Sequence, residues 1–230
     1  MGILLFAFSS NVCAKTPKLF SHLGGDLKET FTSWPVFVLG GGAIAAAALT
    51  QADASIQNSF RNGRHMGKAD SVFNVMGAPY LVDAGAVVTF AGGALARNEE
   101  LTRTGEALVE ALFFSESITL MLKGAFNRTR PNGGYYGFPS GHASRTFAVA
   151  SVIETLYGPW VGLPSYLLAG LISFSRLDSN VHNTSDIVFG AALGSAIGWG
   201  TSRFHKKDPS LLVLPLMMKD GGGCLLVIDY

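Results

Sequence analysis

Apolar and polar positions alternate along this chain in blocks, not residue by residue. The runs at 34 to 51, 71 to 96, 104 to 126, about 142 to 157, 163 to 176 and 185 to 204 are each too long for a single strand and read as helices. Pro79 and Asp83 interrupt the second, and Glu106, Glu110 and Glu116 punctuate the third. The pattern predicts an all-α bundle of about six helices, a size that 230 residues fill as one domain. After residue 205 the character changes: two short Leu- and Val-rich runs flank a glycine-rich turn, which predicts a small C-terminal β-hairpin. Residues 1–30 are set apart as an N-terminal segment, 31–205 as the helical domain and 206–230 as the tail.

Several blocks fall short of the roughly 20 residues a spanning helix needs, and most carry a charge. Yet 48% of the residues are hydrophobic and only 14% charged, which is greasy for a water-soluble globule. A membrane-associated bundle is the expectation. The opening "MGILLFAFSSNVCAKTP" reads either as an export signal lacking its usual basic start or as a short apolar terminus on a core or bilayer surface. A net charge of +1 excludes the broad basic field of a nucleic-acid-binding protein. Cys13 and Cys224 form neither a CxxC pair nor a zinc pattern, and in an exported chain they are candidates for one disulfide.

Other features have ordinary readings. Gly190, Gly194 and Gly198 recur every fourth residue and lay a smooth stripe along the sixth helix, suited to close packing. Glu106 and Glu110 stand one turn apart, a spacing that favours a solvated or salt-bridged face over a carboxylate pair. Asp83 reads as an exposed helix break sooner than as a buried partner for a cation. The segment with Arg61, Arg64, His65 and Lys68 reads as a solvated loop, with a lipid-headgroup strip as the sharper alternative. The sequons at Asn127 and Asn183 lie among chemistry-bearing residues and are discounted as glycan sites.

That chemistry sits in three clusters. "KGAFNRTRP" carries Lys123, Arg130 and Pro131; "PSGH" runs from Pro139 to His142; "SRLDSNVHNTSD" carries Ser175, Arg176, His182 and Asp186. Lys123, Arg130 and Arg176 are cations able to neutralise a phosphoryl group, to which Ser140 and the Gly141 backbone add donors. Asp186 follows His182 by four residues, so on one helical turn its carboxylate would orient the imidazole as a nucleophile. His142, at a helix entrance, would then protonate the departing oxygen and later activate water.

The three clusters resemble the signature of the type-2 phosphatidic acid phosphatase and vanadium haloperoxidase superfamily. That signature reads Lys, six residues, Arg-Pro; then Pro-Ser-Gly-His; then Ser-Arg, five residues, His, three residues, Asp, and every position and internal spacing is met between 123 and 186. The resemblance implies a helical fold, catalysis by His182, His142 and Asp186, phosphate binding by Lys123, Arg130, Ser140, Gly141 and Arg176, and no metal or other cofactor. It implies a phosphohistidine intermediate, a bell-shaped pH profile and activity that survives chelators.

The expected substrate is a lipid phosphate or polyprenyl diphosphate, because apolar blocks surround the clusters. A soluble exported acid phosphatase of broad specificity shares the same residues, and a vanadate-dependent haloperoxidase ranks lower because such enzymes are longer. A scaffold that merely retains the fold would show decayed positions, and none is decayed. If all six helices span, Lys15, Lys18, Lys28, Arg97, Arg103, Arg203, Lys206 and Lys207 share the side opposite the clusters, where the clusters' own side carries Arg61, Arg64, Lys68, Arg128 and Arg145. The positive-inside rule then places the pocket on the non-cytoplasmic side of a membrane or cell envelope.

Overall fold

The computed structural model describes residues 23–61, 65–207, 211–218 and 221–228. Nine helices appear among them: α1 (Leu23–Thr32), α2 (Pro35–Leu49), α3 (Asp53–Arg61), α4 (Ala69–Met76), α5 (Pro79–Ala96), α6 (Glu99–Phe126), α7 (Gly141–Tyr157), α8 (Pro159–Asp178) and α9 (Thr184–Lys207). The fold is a helical bundle, with more helices than the apolar blocks suggest. The 71 to 96 block divides because Gly77 ends α4 and Pro79 opens α5, where its missing N–H costs nothing. α1 and α3 are short, and α3 is on average polar, so neither stood out as an apolar run. The segment read as a solvated loop thus contains α3, and His65 after it pairs with Asp178 at 3.0 Å; Arg64 lies outside the described residues.

Side chains mark the helix ends. Asn98 caps α6 by accepting from the Leu101 N–H at 3.0 Å, and Ser140 caps α7 by accepting from the Ala143 N–H at 3.4 Å. At the other end of α6, Asn127 takes a left-handed conformation and turns the chain out of the helix.

α9 lies at the centre, packed against α1, α2, α6 and α7. The glycine stripe is what lets α7 come close. A Cβ at Gly190, Gly194 or Gly198 would sit 2.7, 2.0 or 2.4 Å from the carbonyl oxygens of Ser140, Ser144 and Ala148. The core beside this contact joins Ala107, Leu108, Ala111 and Leu112 of α6 to Ala148 and Val152 of α7 and to Leu193 and Ile197 of α9.

Apolar side chains also cover the outside. Tyr80, Val87, Val88 and Leu95 on α5, Phe37 and Ile44 on α2, and Trp160, Leu163 and Leu167 on α8 are all more than half exposed. Such a surface is costly in water and suits an apolar medium. α5 is the one described helix long and apolar enough to cross a membrane by itself, while α1 from Gly24 together with α2 meets the same test as a pair bent by 62°.

Two expectations change. Glu106 and Glu110 are buried, not solvated, because α6 runs through the bundle and its acidic face meets neighbouring helices. Asp83 lies inside α5, not at a break, and pairs with the buried Arg145 at 3.3 Å. In the tail, β1 (Leu211–Met218) and β2 (Gly221–Ile228) pair antiparallel, with Cys224 opposite Pro215. Cys13 and the opening segment through residue 22 lie outside the described residues.

Candidate active site

The three sequence clusters meet where α6 ends and α7 and α9 begin. Lys123, in the last turn of α6, donates to the carbonyls of Tyr136 at 2.7 Å and Pro139 at 2.8 Å, so it grips the strand of chain leading into the Pro-Ser-Gly-His turn. The Ser140 N–H donates to the Asp186 carbonyl at 3.0 Å and joins the start of α7 to the start of α9. The loop between α6 and α7 is closed on itself, with the Arg130 N–H on the Gly134 carbonyl and the Gly137 N–H on the Arg128 carbonyl, each at 2.7 Å. Lys123 packs beside Gly141, where a Cβ would meet its Cε at an ordinary contact distance of 3.8 Å.

The cations repel one another. Burial, and after it the neighbouring Arg130, lowers the Lys123 ammonium to about 8. Burial and then Arg130 also lower the Arg176 guanidinium. Two of their N–H groups, Arg130 Nε and Arg176 Nε, are buried without a hydrogen-bond partner. Buried donors on crowded cations are what an oxyanion with several lone pairs would satisfy. Ser140 is fully buried, its hydroxyl oxygen occupied in capping.

Both imidazoles face this cationic ground. His182 is 3% exposed, its backbone N–H donating to the Arg176 carbonyl at 3.2 Å. Its proton affinity is lowered chiefly by burial, against the pull of Asp186, with Lys123 and Arg130 lowering it further. His142, the second residue of α7, falls to about 3 through burial first, then Arg176, Arg145 and His182, against a hydrogen bond to the Asn74 backbone. Both rings are therefore neutral at pH 7.

The His182–Asp186 relationship departs from the expected helical pair. His182 lies in the loop before α9, so the two do not share a helical turn, and its Nδ1 stands 3.6 Å from Asp186 Oδ2, too long for a hydrogen bond. Each Asp186 oxygen already has a donor. Oδ2 accepts from the Asn183 N–H at 2.8 Å, and Oδ1 from Arg128 Nη1 at 2.7 Å.

Arg128 is the residue sequence reasoning missed. Its second nitrogen, Nη2, donates to Asp53 Oδ2 at 2.8 Å, and Asp53 Oδ1 accepts from the Ser185 N–H at 3.0 Å. Ser185 Oγ donates to Asp53 Oδ2 and accepts from Arg128 Nη1 at 2.6 Å. Asp53, at the start of α3, is thereby part of the site although 75 residues separate it from Arg128. Asn74 of α4 is a second such case, since its side-chain oxygen accepts from Arg176 Nη1 while its backbone meets His142. No motif announces either residue.

One end of the helical bundle thus gathers three cations and two neutral imidazoles. The family model for the PAP2 superfamily matches residues 106–210, the part of the chain that holds all three clusters. A lipid A 1-phosphatase of Porphyromonas gingivalis is 38% identical over 107 residues, which are 44% of this chain and 24% of that protein. A lipid A 4'-phosphatase of Bacteroides thetaiotaomicron is 37% identical over 68 residues, 29% of this chain and 30% of that protein. The chain thus covers less than a third of either curated relative.

Among solved structures, a transmembrane PAP2-type phosphatidylglycerolphosphate phosphatase from Bacillus subtilis superposes with a TM-score of 0.66 at 21% identity, covering 75% of this chain and 96% of that one. Aquifex aeolicus LpxE gives a TM-score of 0.55 at 23% identity, covering 66% and 94%. At these identities the likeness is one of fold.

Proposed function

We propose that the chain is a membrane-associated phosphohydrolase that releases phosphate from a lipid phosphate or polyprenyl diphosphate by way of a phosphohistidine on His182. The observation that carries this reading is the meeting of a buried neutral imidazole with Lys123 and Arg130, close enough for both cations to lower its proton affinity. A neutral imidazole is a nucleophile, and fixed cations around it stabilise charge developing on the phosphoryl oxygens.

In the first step the His182 Nε2 lone pair forms an N–P bond as the P–O bond to the alcohol or phosphate leaving group breaks. His142 gives its proton to that oxygen. Because burial and the neighbouring cations hold His142 unprotonated, the proton arrives with the substrate: an anionic phosphate offsets the Arg176 and Arg145 repulsion and raises His142, or enters as the monoanion carrying the proton itself. In the second step water attacks phosphorus, His142 takes the water proton, and the N–P bond breaks to return His182 and free phosphate. Lys123, Arg130, Arg176 and the Gly141 backbone hold the oxygens throughout. Asp186 Oδ2, 3.6 Å from His182 Nδ1, accepts the proton on that nitrogen as the ring closes on phosphorus and takes on positive charge.

The apolar exterior of α2, α5 and α8 supports a substrate delivered from lipid, with the pocket on the non-cytoplasmic side, and residues 31–205 form the catalytic unit. The two lipid A phosphatases among the relatives favour a phosphorylated glycolipid within the lipid-phosphate class. The test measures phosphate release from a lipid A-type phosphate, phosphatidate, a polyprenyl diphosphate and a soluble monoester, with and without detergent, together with quenching of radiolabelled-substrate turnover in alkaline denaturing detergent. The expected outcome is faster release from a lipid substrate and an acid-labile, base-stable phosphoenzyme absent from His182→Ala. Equal phosphate release by His182→Ala would overturn the reading.

A further inference from the structure

At the other end of the bundle a second group of ionisable side chains converges, outside the phosphate site. Asp26 of α1, Glu110 of α6 and His205 of α9 each place one potential ligand atom within 4.8 Å of the others, and all three side chains are buried. Glu110 lies 13 residues before Lys123 on the same helix, which sets the group about 20 Å from the phosphate pocket. His205 Nε2 and Glu110 Oε2 approach to 2.6 Å. Asp26 is the unusual member: it is fully buried, and apart from the facing Glu110 carboxyl neither of its oxygens has a hydrogen-bond partner. A carboxylate taken out of water without a donor requires either a proton or a cation.

The surrounding backbone holds the three residues in place. α1 reaches α9 so closely that a Cβ at Gly200 would lie 1.8 Å from Thr30 Oγ1, and Thr30 Oγ1 in turn donates to the Asp26 carbonyl at 2.8 Å. Asp26 and His205 are each within about one helical turn of that contact. Three helices distant in sequence therefore aim one imidazole and two carboxylates at a common point.

We propose that Asp26, Glu110 and His205 bind one divalent transition-metal ion that fastens α1 to α6 and α9. One imidazole nitrogen with two carboxylate oxygens is a mixed donor set suited to Zn2+ or Mn2+, unlike the all-oxygen sets of Ca2+ and Mg2+. Ligand atoms 4.8 Å or less apart need only small side-chain rotations to reach bonds of about 2.0–2.2 Å. The role is structural, since the site is remote from His182, and the proposal does not rest on the phosphohydrolase reading.

The test uses the full chain purified in mild detergent, desalted after incubation with Zn2+ or Mn2+, with metal content measured by plasma mass spectrometry. The expected result is about one ion per chain in the wild-type and His182→Ala proteins, falling at least about tenfold in Asp26→Asn and His205→Gln. Thermal denaturation of the wild type supplies a readout that needs no variant to fold: chelation lowers the midpoint by several degrees and the added ion restores it. A wild-type protein that holds no stoichiometric metal, with a midpoint indifferent to chelator and ion, overturns the proposal and leaves a proton shared among the three groups. Variants that fold and retain the full metal content overturn it equally.

Discussion

Arg128 donates to Asp186 Oδ1 at 2.7 Å, and the same guanidinium holds Asp53 at 2.8 Å. The carboxylate expected to orient His182 is thus itself oriented by an arginine at a position the signature leaves unspecified, and α3 anchors that arginine. Arg128 touches no reacting atom and is a positioning residue. Replacing it with Ala frees Asp186 to swing and leaves the buried carboxylate without its cation. The expected outcome is a loss in kcat of roughly 10- to 100-fold with KM changed little, as outer-shell partners elsewhere show. Asp186 would then act on His182 with its charge undivided and raise the ring's proton affinity, so the acid limb of kcat/KM moves to higher pH. Arg128→Lys restores charge but not the two-pronged geometry and recovers only part of the rate. An unmoved pH profile in Arg128→Ala would show that the arginine merely supports the fold.

Lys123 gives the alkaline side of the profile. Its ammonium, lowered to about 8 by burial and Arg130, is charged below that pH and neutral above it. It lies in α6, apart from the α5 segment and the bent α1–α2 pair that are apolar enough to span. Transition-state stabilisation requires the charged form, so kcat/KM, which reports the free enzyme, falls as pH rises through about 8. Bound phosphate favours the ammonium and pushes the corresponding limb of kcat upward. Lys123→Arg stays charged throughout, and in that variant the limb near 8 disappears. A limb that persists unchanged in Lys123→Arg assigns it to another group.

The contact between α7 and α9 depends on the absence of side chains at the stripe. A methyl group at Gly194 would lie 2.0 Å from the Ser144 carbonyl oxygen, an atom that cannot rotate away. Gly194→Ala therefore forces the two helices apart and costs about 1–3 kcal/mol, as overpacking in a tight core does. Because Ser140 caps α7 and its N–H holds Asp186, separation also disturbs the pocket. Thermal unfolding in detergent, set beside the same substitution at Gly170, where a Cβ meets nothing within 4 Å, checks the claim. Equal midpoints for the two variants would refute it.

How much of this was legible in the sequence follows from how local each signal is. The phosphate pocket was readable because its residues fall in three short motifs, each fixed by its own turn or cap. The glycine stripe was readable because four-residue spacing is a helical period. Asp53 and Asn74 were not, since each acts through a partner more than 70 residues away and is an unremarkable polar residue within its own segment. Glu106 and Glu110 misled for the opposite reason: acidic residues one turn apart look like a wet helix face, and only the packing of α5, α7 and α9 around α6 buries them. Arg128 was visible as a charge but hidden in role, its partners lying in α3 and α9. The pair His182 and Asp186 has helical spacing without a helix, because α9 begins at Thr184.

Asn74 supplies the last test, because one residue of α4 serves both halves of the pocket. Its side-chain oxygen accepts from Arg176 Nη1, and its backbone is hydrogen-bonded to the His142 ring. Substitution with Ala leaves the backbone contact and removes only the side-chain acceptor, so the two functions separate. Arg176, already deprived of a partner at Nε, then loses its hold at Nη1 and adopts several rotamers, and ordering it on phosphate binding costs entropy that the wild type spent on folding. The expected effect is on substrate capture: KM rises and kcat/KM falls by about tenfold, near 1.4 kcal/mol, while the pH dependence governed by His142 is kept. Asn74→Asp has the opposite character, since a carboxylate beside Arg176 neutralises a cation the phosphate needs, and it should be the worse variant although it keeps an acceptor in place. Steady-state kinetics of the two variants across pH decides the matter. If Asn74→Ala leaves KM unaltered, or if Asn74→Asp outperforms it, Arg176 is held in place by something other than this contact.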